Sequence, residues 1–286
     1  MKATLYVNLE PCAHHGKTPP CVNLIIKHKI PKVVIGTLDP FQKVNGLSIS
    51  KLKKNATVIT GVLPKECKKI NHQYFINHQF KRPFIILKWA ESKDGFINDK
   101  HPGITKISCK ESLISTHKWR SQVDGIMVGT NTVLCDNPKL TTRKHKGKNP
   151  IRITIDRHKQ LLNKKWNILN SDAKTIIFQE TNTKNTKYRK YINYISHNIT
   201  QKSSDTKKLK HMMHILFEEK VHSILVEGGS TITQNLISQN LWDEARVFYS
   251  KKLLQNGIKA PKIKYQDYTQ EIKSGTDLLK ITHNII

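Results

Sequence analysis

Cys12 and Cys21 have the spacing and surroundings of metal ligands. Cys12 follows a β-rich segment at residues 4–9, and Cys21 opens a helical segment, with a turn-forming loop between them. The short loop and the helix N-terminus favour two thiolates, which are good ligands for Zn²⁺. A catalytic zinc also needs a third protein ligand and a separate general acid/base. Neither is evident near the two cysteines, so the residues predict an incomplete zinc site.

A second set of polar residues lies at the ends of apolar segments further along the chain. Lys88 ends one apolar run, and residues 128–143 carry a hydroxyl, a carboxylate and a guanidinium around an Asn-Pro turn. A diglycine turn then joins another apolar strand to a helix that Ser230 or Thr231 can cap. The free N–H groups of such a helix start bind anions, and an arginine fork matches phosphate oxygens. This set favours binding of phosphorylated ligands.

Strand-like and helical segments alternate along the chain and must position these residues. The alternation predicts βαβ units with mainly parallel sheets, hence an α/β fold. An apolar strand restarts the pattern after Lys81-Arg82-Pro83, which predicts domains at residues 1–81 and 82–286. Residues 181–204 are polar and predict a surface excursion. The expected strands are residues 4–9, 33–36, 57–60, 84–87, 125–128, 151–155, 175–178, 223–227 and 245–249. The expected helices are residues 21–28, 47–54, 64–77, 110–120, 205–220 and 231–240.

The composition predicts a cytoplasmic protein that does not enter membranes. No apolar run approaches the roughly 18 residues of a membrane span, and no signal-type segment precedes the first strand. Five cysteines are an odd number, which argues for reduced thiols or metal ligation. The net charge is +28, but the lysines are scattered through helices and loops. We therefore interpret the charge as compositional drift and do not expect nucleic acid as a partner.

The run from Leu9 to Cys21, LEPCAHHGKTPPC, resembles the deaminase motif of the bifunctional deaminase/reductase family of riboflavin biosynthesis. Leu38-Asp39-Pro40 and Val44-Asn45-Gly46 resemble that family's substrate-binding loop, with Ser48 in place of the usual second glycine. The resemblance implies a cytidine-deaminase-like α/β/α domain in which Cys12 and Cys21 are zinc ligands.

The same resemblance implies that this domain is truncated. The family's third ligand and proton-shuttling glutamate belong to a His-Ala-Glu motif that precedes the cysteine run, and residues 1–5 do not contain it. In the family Glu10 belongs to the Pro-Cys motif itself, and His14 and His15 are loop residues near the substrate. The first domain is therefore expected not to deaminate.

Three later segments resemble the reductase half of this family, which has a dihydrofolate-reductase-like α/β fold. They are residues 87–95, LKWAESKDG, residues 128–143, VGTNTVLCDNPKLTTR, and residues 224–231, ILVEGGST. Lys88 and Asp136 are the candidate catalytic residues, which would hydrogen bond near the reacting ribose hydroxyls, and we interpret Trp242 as a core residue. The implied NADPH contacts are Glu91, Thr132, Asp136, Gly229, Ser230 and Thr231. The implied substrate contacts are Arg120, Leu140, Arg143 and Glu227.

The resemblance implies an NADPH-dependent reductase of 5-amino-6-(5-phosphoribosylamino)uracil, a phosphorylated pyrimidine, acting as a homodimer in the cytoplasm. Two alternatives stay open. The chain can be a full bifunctional enzyme with a misassigned start, which an in-frame His-Ala-Glu upstream of codon 1 would reveal. It can also be a decayed, non-catalytic basic protein, which a titration with NADPH would separate.

We predict that the 286-residue chain binds less than one zinc ion per molecule and releases no ammonia from the family's diaminopyrimidine substrate. Two thiolates in place of three ligands lower the affinity for zinc, and no glutamate is placed to move protons. Elemental analysis and an ammonia-release assay test this expectation. Stoichiometric zinc together with ammonia release would contradict it and point to His14 or His15 as a substitute ligand.

Overall fold

The computed structural model describes residues 3–16, 18–41, 44–99, 105–161, 165–180, 186–189, 191–197, 205–263 and 268–284. The chain separates into two compact units, Met1–Arg82 and Pro83–Ile286. Both units combine helices with strands, which confirms the predicted α/β class. In these ranges no helix has both the length and the apolar character that a membrane crossing requires.

The first unit is built on a three-stranded parallel sheet with the strand order β1, β2, β3. Its elements are β1 (Thr4–Leu9), α1 (Cys21–Lys27), β2 (Lys32–Thr37), α2 (Leu47–Leu52), β3 (Thr57–Thr60), α3 (Pro64–Ile70) and α4 (His72–Phe80). Parallel neighbours need a crossover, and α1 and α2 supply it. The central strand contributes Val33 and Ile35 to a small core with Val22, Ile25 and Leu52 of the crossover helices.

The predicted helix over residues 64–77 is instead two helices that meet at Asn71. The side-chain amide of Asn71 donates a hydrogen bond to the carbonyl of Cys67 at 2.8 Å. Asparagine side chains compete in this way with the hydrogen bonds of the helical backbone. The backbone of Asn71, at φ −97° and ψ 16°, no longer has α-helical dihedral angles. Helix α3 therefore ends at Ile70, and α4 begins at His72.

The second unit is built on a ten-stranded sheet with the order β14-β15-β12-β4-β11-β6-β7-β8-β10-β9 in the described residues. Its seven middle strands, from β12 to β10, are parallel to one another, and antiparallel strands extend both edges. The elements are β4 (Phe84–Glu91), β5 (Phe96–Asn98), α5 (Lys110–Gln122), β6 (Gly125–Val128), α6 (Thr130–Asp136), β7 (Ile151–Ile155), β8 (Thr175–Glu180), β9 (Thr186–Arg189), β10 (Ile192–His197), α7 (Asp205–Glu218), β11 (Ser223–Gly228), α8 (Ser230–Ser238), β12 (Glu244–Tyr249), β13 (Ile258–Lys259), β14 (Tyr268–Ser274) and β15 (Asp277–His283).

Residues 181–204 are not simply the surface excursion that their polarity predicts. Within them β10 pairs in parallel with β8, and its Ile192 and Ile195 are buried. Two isoleucines three residues apart are enough to anchor the strand, but they are too few to stand out in a polar segment. The rest of this predicted excursion, residues 181–185, 190 and 198–204, lies outside the described residues.

The two faces of β4 have different partners, because side chains alternate along a strand. Leu87 and Trp89 point into the main core, where they join Met213 of α7 and Leu236 of α8. Lys88 lies between them in sequence and therefore belongs to the opposite face. Trp242 is 5% exposed and belongs to the main core, as predicted.

Candidate active site

Lys88 and Glu227 lie on neighbouring strands at the end of their pairing. The last registered pair of β4 and β11 is Leu87 with Val226, directly before these two residues. On the other side of β11 the register with β6 shifts between Val226 and Gly228, so Glu227 is the extra residue of a β-bulge. Bulges change the direction of side chains, and this bulge places the Glu227 carboxylate at the carboxyl end of β11 rather than in the core.

Glu227 forms a bidentate ion pair with Arg120 of α5. The Nε and Nη2 atoms of Arg120 donate to the two carboxylate oxygens of Glu227, each at 2.7 Å. The Nη1 atom of Arg120 donates to the carbonyl of Thr141 at 3.0 Å. The side chains are only 10% and 7% exposed, so this pair lies in a low-dielectric environment, where planar fork-to-fork geometry is strongest. The pair ties α5, β11 and the loop after α6 to one point.

Lys88 adds a second buried cation to this ion pair. Burial lowers the pKa of Lys88, Glu227 opposes that effect, and Arg120 adds to it. Burial alone would raise the pKa of Glu227, but Arg120 and Lys88 reverse this and hold it below its usual range. Two cations thus face one carboxylate in the cluster of Lys88, Arg120 and Glu227. The surplus positive charge suits an anionic ligand.

Arg143 and Leu140 follow α6 in the loop that reaches this cluster. Burial and then Arg120 lower the pKa of Arg143, which shows that the two guanidiniums are near one another. Leu140 is 3% exposed and has a left-handed φ of 54°, an uncommon conformation for a branched side chain. The strained turn at Leu140 directs the chain so that Thr141 can accept the bond from Arg120.

His117 is a member of the site that the sequence did not identify. It is fully buried on α5, one turn before Arg120. Burial, followed by Arg120 and Arg143, lowers the pKa of His117 to about 4. Its imidazole is therefore neutral near pH 7, and it adds no charge to the cluster. The sequence signal that could have identified His117 is its spacing from Arg120, because residues three apart share one face of a helix.

The Gly228-Gly229 turn and Thr132 form a narrow cradle. A β-carbon on Gly228 would lie 3.0 Å from the side chain of Thr132, and Gly229 has a left-handed φ of 77°. The close approach favours glycine at position 228, and the left-handed backbone favours glycine at position 229. Gly229 is the N-cap of α8, so the predicted capping by Ser230 or Thr231 is wrong. No side chain in the described part of the chain caps this helix, so its first N–H groups have no capping partner.

This cradle fits a phosphorylated dinucleotide such as NADPH. A helix start that follows a diglycine turn can offer backbone N–H groups to a pyrophosphate, and the lack of side chains at Gly228 and Gly229 lets the backbone approach it closely. Ser230 and Thr231 lie in the first turn of α8, where their hydroxyls can add further donors.

The remaining predicted residues, Asp136 and Glu91, have separate environments. Asp136 ends α6, and its Oδ1 atom is buried without a hydrogen-bond partner among the described residues. Burial raises the pKa of Asp136. Glu91 ends β4 and accepts a hydrogen bond from the indole of Trp89 at 2.9 Å. Within the described contacts, no hydrogen bond or ion pair joins either carboxyl group to Lys88.

The first unit places Cys12 and Cys21 side by side. The backbone N–H of Cys21 donates to the Sγ atom of Cys12 at 3.1 Å. A hydrogen bond between the two thiol side chains, together with burial, raises the pKa of the Cys21 thiol. Across the ranges that the structure describes, no group of three or more His, Cys, Asp or Glu side chains can hold a metal ion. The described residues therefore do not fit a catalytic zinc, and no chemical step is assigned to one.

Glu10 organises the loops beside these cysteines. It is 2% exposed and accepts hydrogen bonds from the hydroxyl of Ser48 at 2.7 Å and from the backbone N–H groups of Gly46 and Asp39 at 2.9 and 3.3 Å. The hydroxyl of Tyr74 donates to Asp39, so α4 is tied to the same loop. A cleft of about 420 Å³ opens at this loop, lined by Gly36, Thr37, Leu38, Asp39, Pro40, Asn45, Thr60, Gly61, Pro64, Lys68 and Phe75.

Comparisons with known proteins agree on one group of relatives. The RibD C-terminal domain family matches residues 83–260. The chain is 33% identical over 260 residues to the riboflavin biosynthesis protein RibD of Aquifex aeolicus, covering 90% of this chain and 71% of the relative. The corresponding protein of Actinobacillus pleuropneumoniae is 32% identical over 88% of this chain and 68% of its own length. A deaminase/reductase structure from Thermotoga maritima, 32% identical, superimposes with a TM-score of 0.81 over 99% of this chain and 80% of that one.

We predict that His117 makes the fold less stable as the pH falls. Its pKa is about 4 in the folded chain, whereas an unfolded histidine has a pKa near 6.5. Between these values the unfolded chain binds more protons, so the free energy of unfolding rises with pH. The contribution of His117 is complete above about pH 6.5 and falls by roughly 1–3 kcal/mol as the pH drops toward 4.

Urea unfolding of the wild type and of His117→Gln at pH 7, 6 and 5 measures this difference. The variant should show a shallower loss of stability toward low pH, since glutamine does not titrate. His145→Gln, at an exposed position, is the matched control and should follow the wild type. Parallel pH dependences for wild type and His117→Gln would contradict the prediction.

Proposed function

The chain belongs to the RibD family of riboflavin biosynthesis proteins, and we propose that its second unit reduces 5-amino-6-(5-phosphoribosylamino)uracil with NADPH. Membership agrees with the predicted dihydrofolate-reductase-like α/β fold of that unit and makes the protein an oxidoreductase. The observation that carries the proposal is the cluster of Lys88, Arg120 and Glu227, because the strand of Glu227 leads directly into the Gly228-Gly229 cradle.

The surplus cationic charge supports binding of the substrate phosphate. Arg143 is exposed and near Arg120, so its guanidinium is available to phosphate oxygens in a bidentate manner. Arg120 is committed to Glu227 and Thr141 and acts mainly as a fixed charge. The carboxylate of Glu227 keeps free lone pairs after binding Arg120, and these can accept from N–H groups of the pyrimidine.

NADPH, when bound, supplies the hydride. The chain's contribution is to hold it: the first turn of α8 offers backbone N–H groups, with the hydroxyls of Thr132, Ser230 and Thr231 around them. Glu91 and Asp136 lie at the ends of β4 and α6, where each can accept from hydroxyl or amide groups of the cofactor. Such positioning accounts for most of a protein's share in hydride-transfer chemistry.

Lys88 is proposed to hydrogen bond the ribose oxygen at the reacting carbon. Burial lowers the pKa of this ammonium, which makes it a stronger hydrogen-bond and proton donor than an exposed lysine. Asp136, whose Oδ1 atom has no partner among the described residues, is proposed to accept from a neighbouring ribose hydroxyl. Together they would orient the open-chain sugar.

The first unit is proposed to correspond to the deaminase part of its relatives, with Cys12 and Cys21 at the positions where the family resemblance implies zinc ligands. The family resemblance also supports a homodimer. These assignments are independent of the reductase proposal.

The reductase assignment predicts NADPH oxidation that depends on the deaminated pyrimidine substrate. Purified protein with an intact circular dichroism spectrum is mixed with NADPH and 5-amino-6-(5-phosphoribosylamino)uracil, and the absorbance of NADPH is followed. Lys88→Ala should lower the rate strongly while the protein still binds NADPH. Folded wild-type protein that neither binds NADPH nor oxidises it with this substrate would instead support the alternative of a decayed, non-catalytic protein.

Arg143→Ala and Asp136→Asn should both lower kcat/KM, by about 2 to 4 kcal/mol if each removes a charged contact to a bound ligand. The loss in Arg143→Ala should lie mainly in the Michaelis constant for the pyrimidine, because phosphate binding is lost. Lys144→Ala removes an adjacent exposed cation and is the matched control. An unchanged Michaelis constant in Arg143→Ala would refute the phosphate role.

A further inference from the structure

We propose that Phe248, backed by Trp119, is a positioning residue that holds the ammonium group of Lys88 at the reacting sugar oxygen. The role rests on the proposed reductase function, since it acts through Lys88. Neither aromatic residue belongs to the cofactor- or substrate-binding segments that the sequence identified.

Four side chains form a continuous stack beside the active site. The Nζ atom of Lys88 lies 5.8 Å from the centre of the Phe248 ring. The Trp119 ring stacks on the Phe248 ring, with 5.3 Å between the ring centroids and an interplanar angle of 16°. The guanidinium of Arg246 covers Trp119 at 4.7 Å. The stack thus runs from cation to ring to ring to cation.

Strand register places three members of the stack on one face. Arg246 of β12 is the registered partner of Lys88, and Phe248 is the partner of Ala90, two residues further along β4. Side chains two residues apart share a face of a sheet. Trp119 enters from α5, directly before Arg120 in sequence. The helix that carries the ion pair therefore also carries the ring that backs Phe248.

The far end of the stack is fixed. The side chain of Arg246 pairs with Glu244, and that carboxylate also lies 3.8 Å from a ring nitrogen of His283 on the hairpin strand β15. A guanidinium held in this way keeps Trp119 in place, and Trp119 in turn limits the tilt of Phe248, which is fully buried.

Lys88 needs such a support because its counter-charge is shared. Glu227 attracts the Lys88 ammonium, but among the described contacts no hydrogen bond or ion pair joins the two side chains, so the carboxylate does not fix the position of Nζ. A lysine has four rotatable bonds, and the face of an aromatic ring attracts a desolvated ammonium. Phe248 therefore selects one position of Nζ, whereas an aliphatic residue of similar size would not.

The charged groups around Lys88 come from each element packed on this face. They are Glu227 of β11, Arg120 of α5, and Arg246 of β12 with its partner Glu244. His117 of α5 is neutral near pH 7 and adds no charge. Removal of the ring would leave this set of charges in place while it removes the attraction for the ammonium. The charged form of Lys88 would then be less favoured.

Phe248→Leu tests the role, with Trp119→Phe as the conservative control. We expect kcat of Phe248→Leu to fall about tenfold, with the Michaelis constants for the pyrimidine and NADPH within about twofold, because a desolvated cation–π contact contributes on that scale. The alkaline limb of the pH profile of kcat should move to lower pH, which a purely structural role would not cause. Trp119→Phe keeps a stacked ring and should retain both kcat and the pH profile.

The outcomes separate this inference from the proposed function. Wild-type protein without turnover would refute the reductase proposal and, with it, any role in positioning Lys88. If the wild type turns over and Phe248→Leu has the same kcat and pH profile, this inference alone would be refuted. If Phe248→Leu does not fold, by circular dichroism and urea unfolding, Trp119→Leu replaces it. Trp119 is only half buried, and its removal should produce the same shift of the alkaline limb.

Discussion

The Arg120–Glu227 ion pair is the interaction on which the arrangement of the second unit's site depends. Removing two charges from water is costly, and the attraction between them compensates only when the geometry is good and the remaining donors are satisfied. Here both conditions hold, because three nitrogens of Arg120 have partners and both oxygens of Glu227 accept. The pair can exist only if α5, the bulged end of β11 and the loop at Thr141 come together. Their positions are thus coupled, and a shift in one element would leave a buried charge unpaired.

Side chains alternate between the two faces of β4, and this explains how a polar cluster coexists with a large apolar core. Leu87 and Trp89 complete the apolar face against α7 and α8, while Lys88 is directed to the face that α5 covers. One strand therefore serves stability and chemistry at once. A one-residue slip of β4 would bury Lys88 in the core and expose Trp89, so the register that maintains the fold also maintains the site.

Much of the α/β pattern could be predicted, because apolar runs and helical spacing are local properties of the chain. Each predicted strand is present, and Lys88, Arg120 and Glu227 lie together. The stack was not predicted, since Trp119 and Phe248 are 129 positions apart in sequence and meet only through tertiary packing. The C-terminal hairpin β14–β15 was also missed, because its strands alternate polar and apolar residues only weakly. The bulge at Glu227 depends on the register of a third strand, which no local pattern encodes.

The first unit uses the same physical device with a different set of donors. The single carboxylate of Glu10 joins β1 to the loops at Asp39 and Gly46, much as Glu227 joins three elements in the second unit. Ser48 contributes its hydroxyl to this carboxylate, a contact that a glycine at the same position would lack. The substitution is therefore matched to its environment, since it supplies a donor where a buried charge needs one.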